Sequence, residues 1–539
     1  AAKQADSFCA RFPDDAVAQI SVGVVRTRQG RIDDAITAFT RATELAPDNL
    51  LAKANLGFSM GLKGRHADAI SLLKVVVAKQ PRHWSALEKL IFARRTMFDW
   101  QGLEDQQITL VNAIADGATD IDPWAIFAFT DDPVILRKVT QNRFAVGSLP
   151  APRHAASPTP RQRIRIAYVS GDFRDHPVAH AIADLIETHD REQFEIIGAS
   201  YGPENQAPIR QRLANAFDRF VDIRSDSLEA GAKALAELDI DIAIDLSGPT
   251  ELGQPGLFAH RTAPVQVNYL GYPGSHGAPW IDYVIGDPVT IPEGSEKDFS
   301  EHVVRLPHTY FPASRRAIAE ATPSRSTAGL PETGVVLSAF HSTWKISPSL
   351  FAIWAQLLKD LPGAVLWLRC DNEFAVRNLR IETERLGVDP ARIIFAERVD
   401  DPAQHLARLR RADLFLDTWS YNAHSTAIET LWAGVPLVTI EGRSFASRVA
   451  SSVLSAAGLG ELVTPDHETY AALVKDIASS PDRLSDLKAR LGQARETSPL
   501  FDVTGYTRAF ETALRVMHER KRKNQKAGPI TVAPQDSAS

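Results

Sequence analysis

The sequence predicts an α + α/β architecture, a helical repeat array followed by two Rossmann-like sheet domains. Three observations predict it. The first hundred residues repeat with a period of 34, a Pro-rich break follows, and beyond it strands alternate with helices in two successive series. At 539 residues the chain exceeds what one core supports, so three or so units are expected.

In the repeats, Gly23, Ala35, Phe39, Ala42 and Pro47 recur as Gly57, Ala69, Leu73, Val76 and Pro81, and Gly30-Arg31 recurs as Gly64-Arg65. Small residues where paired helices touch, with Pro closing each unit, are the tetratricopeptide signature. Two full repeats are visible. Pro13 closes an earlier one whose start is absent, and the first residue is not Met, so the natural chain is expected to extend upstream. From Trp84 to Ala118, Leu87, Phe92 and Leu103 keep helical spacing without the diagnostic Gly and Pro, which reads as a degenerate capping repeat. Repeats are therefore expected over residues 1–120, and a linker and capping region over 121–162, Pro-rich from Pro150 to Gln162. Such an array usually offers a concave surface to extended polypeptide. Stabilising its neighbour is the plainer alternative.

The first α/β domain is expected over 163–320, with strands at 164–169, 194–200 and 240–246 and helices at 179–188 and 228–238. A second alternation over 321–518 has strands at 335–340, 364–369 and 392–396 and helices at 349–358, 375–386 and 404–411. Two such domains leave a cleft where ligands usually bind. Residues 519–539, with the basic run 521–526, are expected to be a disordered tail.

Composition excludes some classes. A formal charge of −6 argues against nucleic acid as a partner. Only Cys9 and Cys370 are present, so no disulfide framework is implied and a reducing compartment fits. The longest apolar stretches are too short to span a bilayer. A cytoplasmic protein is expected.

Candidate chemistry gathers at loops between strands and helices. Residues 413–436 read as strand, loop and helix, with Gly434 as C-cap, and they deliver His424, Ser425 and Thr426 to the helix start. Open N–H groups and the helix dipole suit a pyrophosphate there, although Ser425 or Thr426 also suits a plain N-cap. Lys345, before Ser347-Pro348, can reach a phosphate oxygen from a loop. His176 follows the first strand, where a neutral imidazole can act as general base. His176 and His180 share i,i+4 spacing, but no HExxH or third ligand accompanies them, so no metal is expected. His405 and Arg408 share a helix face, suited to stacking on a base and donating to its carbonyls, or to plain solvation. Glu429 lies four residues after Ser425 and suits ribose hydroxyls.

Taken together, the blocks at 171–180, 258–283, 344–346, 421–439, 444–454 and 498–507 make the chain resemble the O-GlcNAc transferase family, tetratricopeptide repeats fused to a two-domain GT-B glycosyltransferase. It is similar to the compact bacterial members, since Leu306-Pro307-His308 leads into the second domain without a large insertion. The resemblance implies a catalytic pair, His176 as general base and Lys345 on the donor diphosphate. It implies that His424, Ser425 and Thr426 hold the diphosphate, His405 and Arg408 embrace uracil, Glu429 binds ribose, and Leu270 and Gly271 lie near the sugar by their backbone. Ser342 stands where the family often has Gln or Asn; Ser425 and Glu429 replace a Thr and an Asp, and Asp241 replaces a histidine of the animal enzymes. The implied reaction is inverting transfer of N-acetylglucosamine from UDP-GlcNAc to Ser or Thr hydroxyls of proteins bound along the repeats, with no cofactor or divalent metal. Competing readings are a related transferase using GDP-fucose or UDP-glucose, and a repeat-based interaction protein with weak or lost activity. A self-contained catalytic half, residues 163–520, would bind UDP without the repeats.

Overall fold

The computed structural model describes residues 7, 11–145, 150, 161–225, 227–250 and 253–534. Six helices pair off first: α1 (Ala16–Arg28) with α2 (Ile32–Leu45), α3 (Leu50–Leu62) with α4 (His66–Lys79), and α5 (Trp84–Thr96) with α6 (Leu103–Ala115). Close contact explains the repeated small residues. A Cβ on Gly23 would lie 2.5 Å from the Phe39 ring, and one on Gly57 would lie 2.9 Å from Leu73. Gly30 and Gly64 turn the chain between partners at φ of 72° and 73°, a region that favours glycine. In the third pair buried Ile91 replaces that small residue, so these helices pack by a different contact.

Much of the region expected as linker and cap is helical. Two short helices, α7 (Pro123–Ile126) and α8 (Pro133–Phe144), each begin with an aspartate cap, Asp122 or Asp132, followed by proline. Residues 151–160 of the expected linker lie outside the described residues.

Seven strands then build the first sheet: β1 (Ile164–Ser170), β2 (Phe194–Ser200), β3 (Arg219–Asp222), β4 (Ile242–Asp245), β5 (Val265–Asn268), β6 (Tyr283–Gly286) and β7 (His302–Arg305). The second sheet contains β8 (Val336–Ala339), β9 (Val365–Arg369), β10 (Ile393–Ala396), β11 (Leu414–Leu416), β12 (Leu437–Ile440) and β13 (Val463–Thr464). The described ladders are all parallel, and central strands such as β1, β4 and β8 are nearly continuous buried apolar runs, as sheets covered on both faces require, whereas the edge strand β3 is exposed at both ends. Four further helices position the site: α9 (Pro177–Thr188), α10 (Glu373–Arg385), α11 (Pro402–Leu409) and α12 (Ser425–Ala433).

The expected disordered tail is corrected in part. The last helix, α13 (Val503–Arg522), returns to the first lobe, where Glu511 accepts from buried His189 at 3.0 Å and Tyr506 donates to the Tyr310 carbonyl at 2.5 Å. A final strand, β14 (Ile530–Thr531), pairs with β7 and completes the order β14-β7-β6-β5-β4-β1-β2-β3. Ile530 and Val532 face inward while Thr531 is exposed, a period-two pattern too short to stand out beside Pro529 and the basic run. Among the described residues no helix is long and apolar enough to cross a membrane.

Candidate active site

Each sheet grows in two directions from one strand. In the first, β1 lies between β2 and β4; in the second, which runs β10-β9-β8-β11-β12-β13, β8 lies between β9 and β11. Loops diverge at such a point and leave a crevice at the carboxyl ends of the strands. His176 follows β1, Ser342 and Lys345 follow β8, and His424, Ser425 and Thr426 follow β11. Pro177 and His180 of α9 line one cleft with Arg316 and with Ser425 and Glu429 of α12, so the two lobes meet at their helix starts.

The second lobe supplies an anion-binding end. His424 occupies the cap position of α12 without a side-chain cap bond, so that among the described residues the Ser425 and Thr426 N–H groups have no partner, while the Ala427 N–H donates to the His424 carbonyl at 2.9 Å. Its Nε2–H donates to the Ala446 carbonyl at 3.0 Å, and the ring stacks on Tyr421 with centroids 4.3 Å apart. Burial, with Lys345 nearby, holds this histidine far below its ordinary pKa, so the ring is neutral. Lys345 ends a three-residue 3₁₀ turn (Thr343–Lys345) opened by exposed Ser342, whose carbonyl accepts the Lys345 N–H at 3.0 Å. The ammonium donates to the Asn422 carbonyl at 3.0 Å and lies 4.2 Å from the Tyr421 ring centroid. Burial pushes its pKa down to about 8 against the opposing pull of Asp417. Asp417 is fully buried and accepts from Thr418 N and Ala423 N at 2.7 Å and from the Thr439 hydroxyl at 2.6 Å, while burial pushes its carboxyl up. His341 donates to the Leu416 carbonyl at 3.0 Å and is driven down to about 3 by burial. The result is a cation bonded to carbonyl rather than carboxylate, facing an open helix start.

His405 and Arg408 do meet, in a buried setting rather than on a solvated face. Arg408, 7% exposed, directs Nε and Nη2 at His405 Nδ1 at 3.3 and 3.1 Å and donates Nη1–H to the Glu397 carbonyl. The guanidinium sits 5.2 Å from the Phe340 ring, on which His405 also stacks. Burial and the neighbouring arginines hold His405 near 4, so it is neutral, and with Nδ1 accepting, its proton is on Nε2. Arg408 thus fixes the tautomer and plane of His405 more than it offers a free fork. Glu429 pairs with Arg316, whose carbonyl accepts from Trp432 Nε1 at 2.8 Å.

His176 caps α9, its Nδ1 accepting from Val178 N at 3.3 Å, with Asp172 at 3.9 Å from Nε2. Burial lowers its pKa, so the ring is neutral at pH 7, and this cap places the proton on Nε2. Taking a proton there requires release of Val178. His180 is bonded to Asp175 at 2.8 Å. Leu270 has φ of 71°, rare for a branched side chain, and a Cβ on Gly271 would lie 1.9 Å from the Leu246 carbonyl oxygen. This loop continues to Tyr272, whose ring meets Phe127 at 5.2 Å, and Phe127 meets Tyr421 at 5.6 Å.

Sequence reasoning missed Asp417, His341, Tyr421 and Arg316. Asp417 carried a signal, an acid directly after the buried run Leu414–Leu416. Arg316 carried none, because only the lobe packing brings it to Glu429.

A model of the family described as glycosyl transferase family 41 matches residues 145–321 and 313–510, and a tetratricopeptide-repeat model matches 26–91. An Arabidopsis thaliana relative, described as the probable UDP-N-acetylglucosamine–peptide N-acetylglucosaminyltransferase SEC, is 32% identical over 410 residues, covering 72% of this chain and 42% of the relative. The Caenorhabditis elegans UDP-N-acetylglucosamine–peptide N-acetylglucosaminyltransferase is 27% identical over 483 residues, covering 69% of this chain and 42% of its own. The chain therefore spans less than half the length of these curated relatives. Among solved structures, a Thermobaculum terrenum O-GlcNAc transferase carrying a lysine-to-methionine substitution superposes with a TM-score of 0.72 at 26% identity, over 97% of this chain and 94% of that one.

Proposed function

The chain belongs to glycosyl transferase family 41, and from that premise we propose that it transfers N-acetylglucosamine from UDP-GlcNAc to Ser or Thr hydroxyls of proteins, with inversion. The observation that carries this reading is the half-buried Lys345 ammonium, bonded to carbonyl oxygen and set beside the open start of α12. A diphosphate placed there receives a point charge and a helix dipole together. The attacking hydroxyl oxygen forms a bond to the anomeric carbon as the bond to the diphosphate oxygen breaks. That electron pair leaves on UDP, where Lys345, His424, Ser425 and Thr426 stabilise it. His176 receives the hydroxyl proton in the tautomer that leaves its lone pair facing the acceptor.

In this reading neutral His405 stacks on uracil, held in plane by Arg408, and Glu429 accepts from the ribose hydroxyls with Arg316 beside it. Ser342 lies at the diphosphate, and the backbone at Leu270 and Gly271 approaches the sugar. The groups named account for these steps without a cofactor or metal. The repeats present protein acceptors, and the expected location is the cytoplasm, without a membrane or nucleic-acid partner. Agreement with the two curated relatives, both described as UDP-N-acetylglucosamine–peptide transferases, supports the donor and the acceptor class.

Competition calorimetry of UDP against GDP, with wild type and Arg408→Ala, tests the donor. UDP is expected to bind at least about tenfold tighter than GDP, since guanine leaves polar groups unpaired at about 1–3 kcal/mol each. Equal or tighter GDP binding would promote a GDP-fucose transferase and overturn the UDP-sugar reading. Transfer of labelled N-acetylglucosamine to a protein acceptor completes the test.

A further inference from the structure

Building on that donor-site reading, we infer that the last repeat pair is part of the diphosphate clamp, with Arg95 of α5 positioning Lys345 by holding the carbonyl of the residue before it. Lys345 lies on a 3₁₀ turn of three residues, none of them buried, so its position has to be fixed from outside the turn. The fixing groups come largely from the repeats. Arg95 Nε donates to the Trp344 carbonyl at 2.9 Å, and the Thr343 hydroxyl donates to the Thr96 carbonyl at 2.8 Å. The Phe92 ring packs on Trp344 at 5.6 Å. One step further on, Asn378 of α10 donates to the Met97 carbonyl at 2.8 Å, and Trp100 packs on Phe351 at 5.8 Å.

The other side of the lysine is held the same way. Tyr421, the ring beside the Lys345 ammonium, packs at 5.5 Å on Trp124 and at 5.6 Å on Phe127, both from the capping segment that contains α7. The backbone of the lysine turn and the ring under its ammonium are therefore both anchored in the region before residue 146. One part of the clamp is built by the repeats, which sequence assigns to acceptor recognition, and another by the segment it assigns to a linker and cap.

Arg95 adds charge as well as geometry. It is 3% exposed, its Nη2 is buried without a hydrogen-bond partner, and burial alone lowers its pKa, to about 10. Among the described residues the one bond of this buried guanidinium goes to a neutral carbonyl and no carboxylate pairs with it, which leaves its charge uncompensated next to the lysine turn. Positive charge there is unfavourable in the empty protein and favourable once an anion binds. Docking of the repeats and binding of the diphosphate are then linked, each strengthening the other by the same factor.

The test uses the full chain with Arg95→Gln, which keeps most of the stem and removes the charge, and Arg95→Lys, which restores the charge. UDP affinity by calorimetry, melting temperature, acceptor KM and the hydrolysis of UDP-GlcNAc by water are measured for each. Hydrolysis needs no protein acceptor, so it isolates the clamp from the acceptor surface. The expected result for Arg95→Gln is UDP binding weakened about tenfold with slower donor hydrolysis and acceptor KM unchanged, Arg95→Lys falling between. A folded Arg95→Gln protein whose UDP affinity and hydrolysis stay within about twofold of wild type overturns the inference, and so does a change confined to acceptor KM. Should Arg95→Gln fail to fold, Thr343→Val removes the reciprocal bond, and unchanged UDP affinity in that variant overturns the inference equally. Wild type that binds no UDP overturns the functional reading itself, and is recognised before any substitution is made.

Discussion

The two sides of the cleft are built on opposite plans. On the second-lobe side, Lys345, Asp417, His341 and His424 are tied to backbone carbonyls and N–H groups by bonds of 2.7–3.0 Å, and Lys345 and His424 pack on the Tyr421 ring. On the first-lobe side, His176 is about one-third exposed and has one 3.3 Å cap bond that its proposed role would break. In the proposed reading the donor end is thus preorganised for charge, whereas the acceptor end is left open for a protein partner. Electrostatic stabilisation depends on fixed dipoles, while a general base has only to reach its proton.

The largest break in that contrast comes from Lys345→Ala. Transfer is expected to fall about 10²–10³-fold with UDP binding also weakened, because one charge is lost from a water-poor site. The melting temperature is expected to hold or rise, since a buried ammonium pushed down to about 8 opposes folding at neutral pH rather than supporting it. Unchanged turnover, measured beside a melting curve, would remove Lys345 from the chemistry.

His176→Ala sharpens the contrast from the other side. Transfer is expected to fall about 100-fold, at the lower end for a general base, while UDP affinity stays at the wild-type value. Loss of UDP affinity in this variant would mean that the two ends are not separate.

The smallest expected effect is on pH. In the proposed reading the cationic form of Lys345 binds the diphosphate, and burial pushes its pKa down to about 8, below the ordinary lysine value. Donor kcat/KM is therefore expected to be flat between the lowered pKa of His176 and that pH, and to fall about tenfold per unit above it. The bound anion favours the cation, so the corresponding limb in kcat moves to higher pH. Lys345→Arg is expected to remove the limb from the accessible range; a limb that persists there belongs to another group.

What was legible follows the same division. The period-34 repeats, both strand–helix alternations and the helix start at Ser425 are local patterns, and each appears as an element here. Lys345 and His424 were found because each lies in the loop between a buried strand and the helix that follows it. Arg95 and Arg316 were not found, since each acts through a partner remote in sequence, Trp344 and Glu429. The solvated reading of Arg408 failed because burial by Phe340 is tertiary. A self-contained catalytic half was expected because sequence shows modules and not their contacts; Thr96 and Met97 bond directly into the second lobe.

The pairing of β14 with β7 bears on how the chain is made. Ribosomes deliver β7 long before β14, with the entire second lobe synthesised between them. Until residue 530 emerges, the first sheet has an unpaired edge of backbone N–H and C=O groups at β7, available to other nascent chains on the same polysome. Closing so long a loop costs little more entropy than closing a shorter one, so the delay is set by translation rather than by the chain. The first lobe is begun early and sealed late, and a protein that stalls during synthesis after the second lobe would carry two nearly complete sheets with the β7 edge still unpaired.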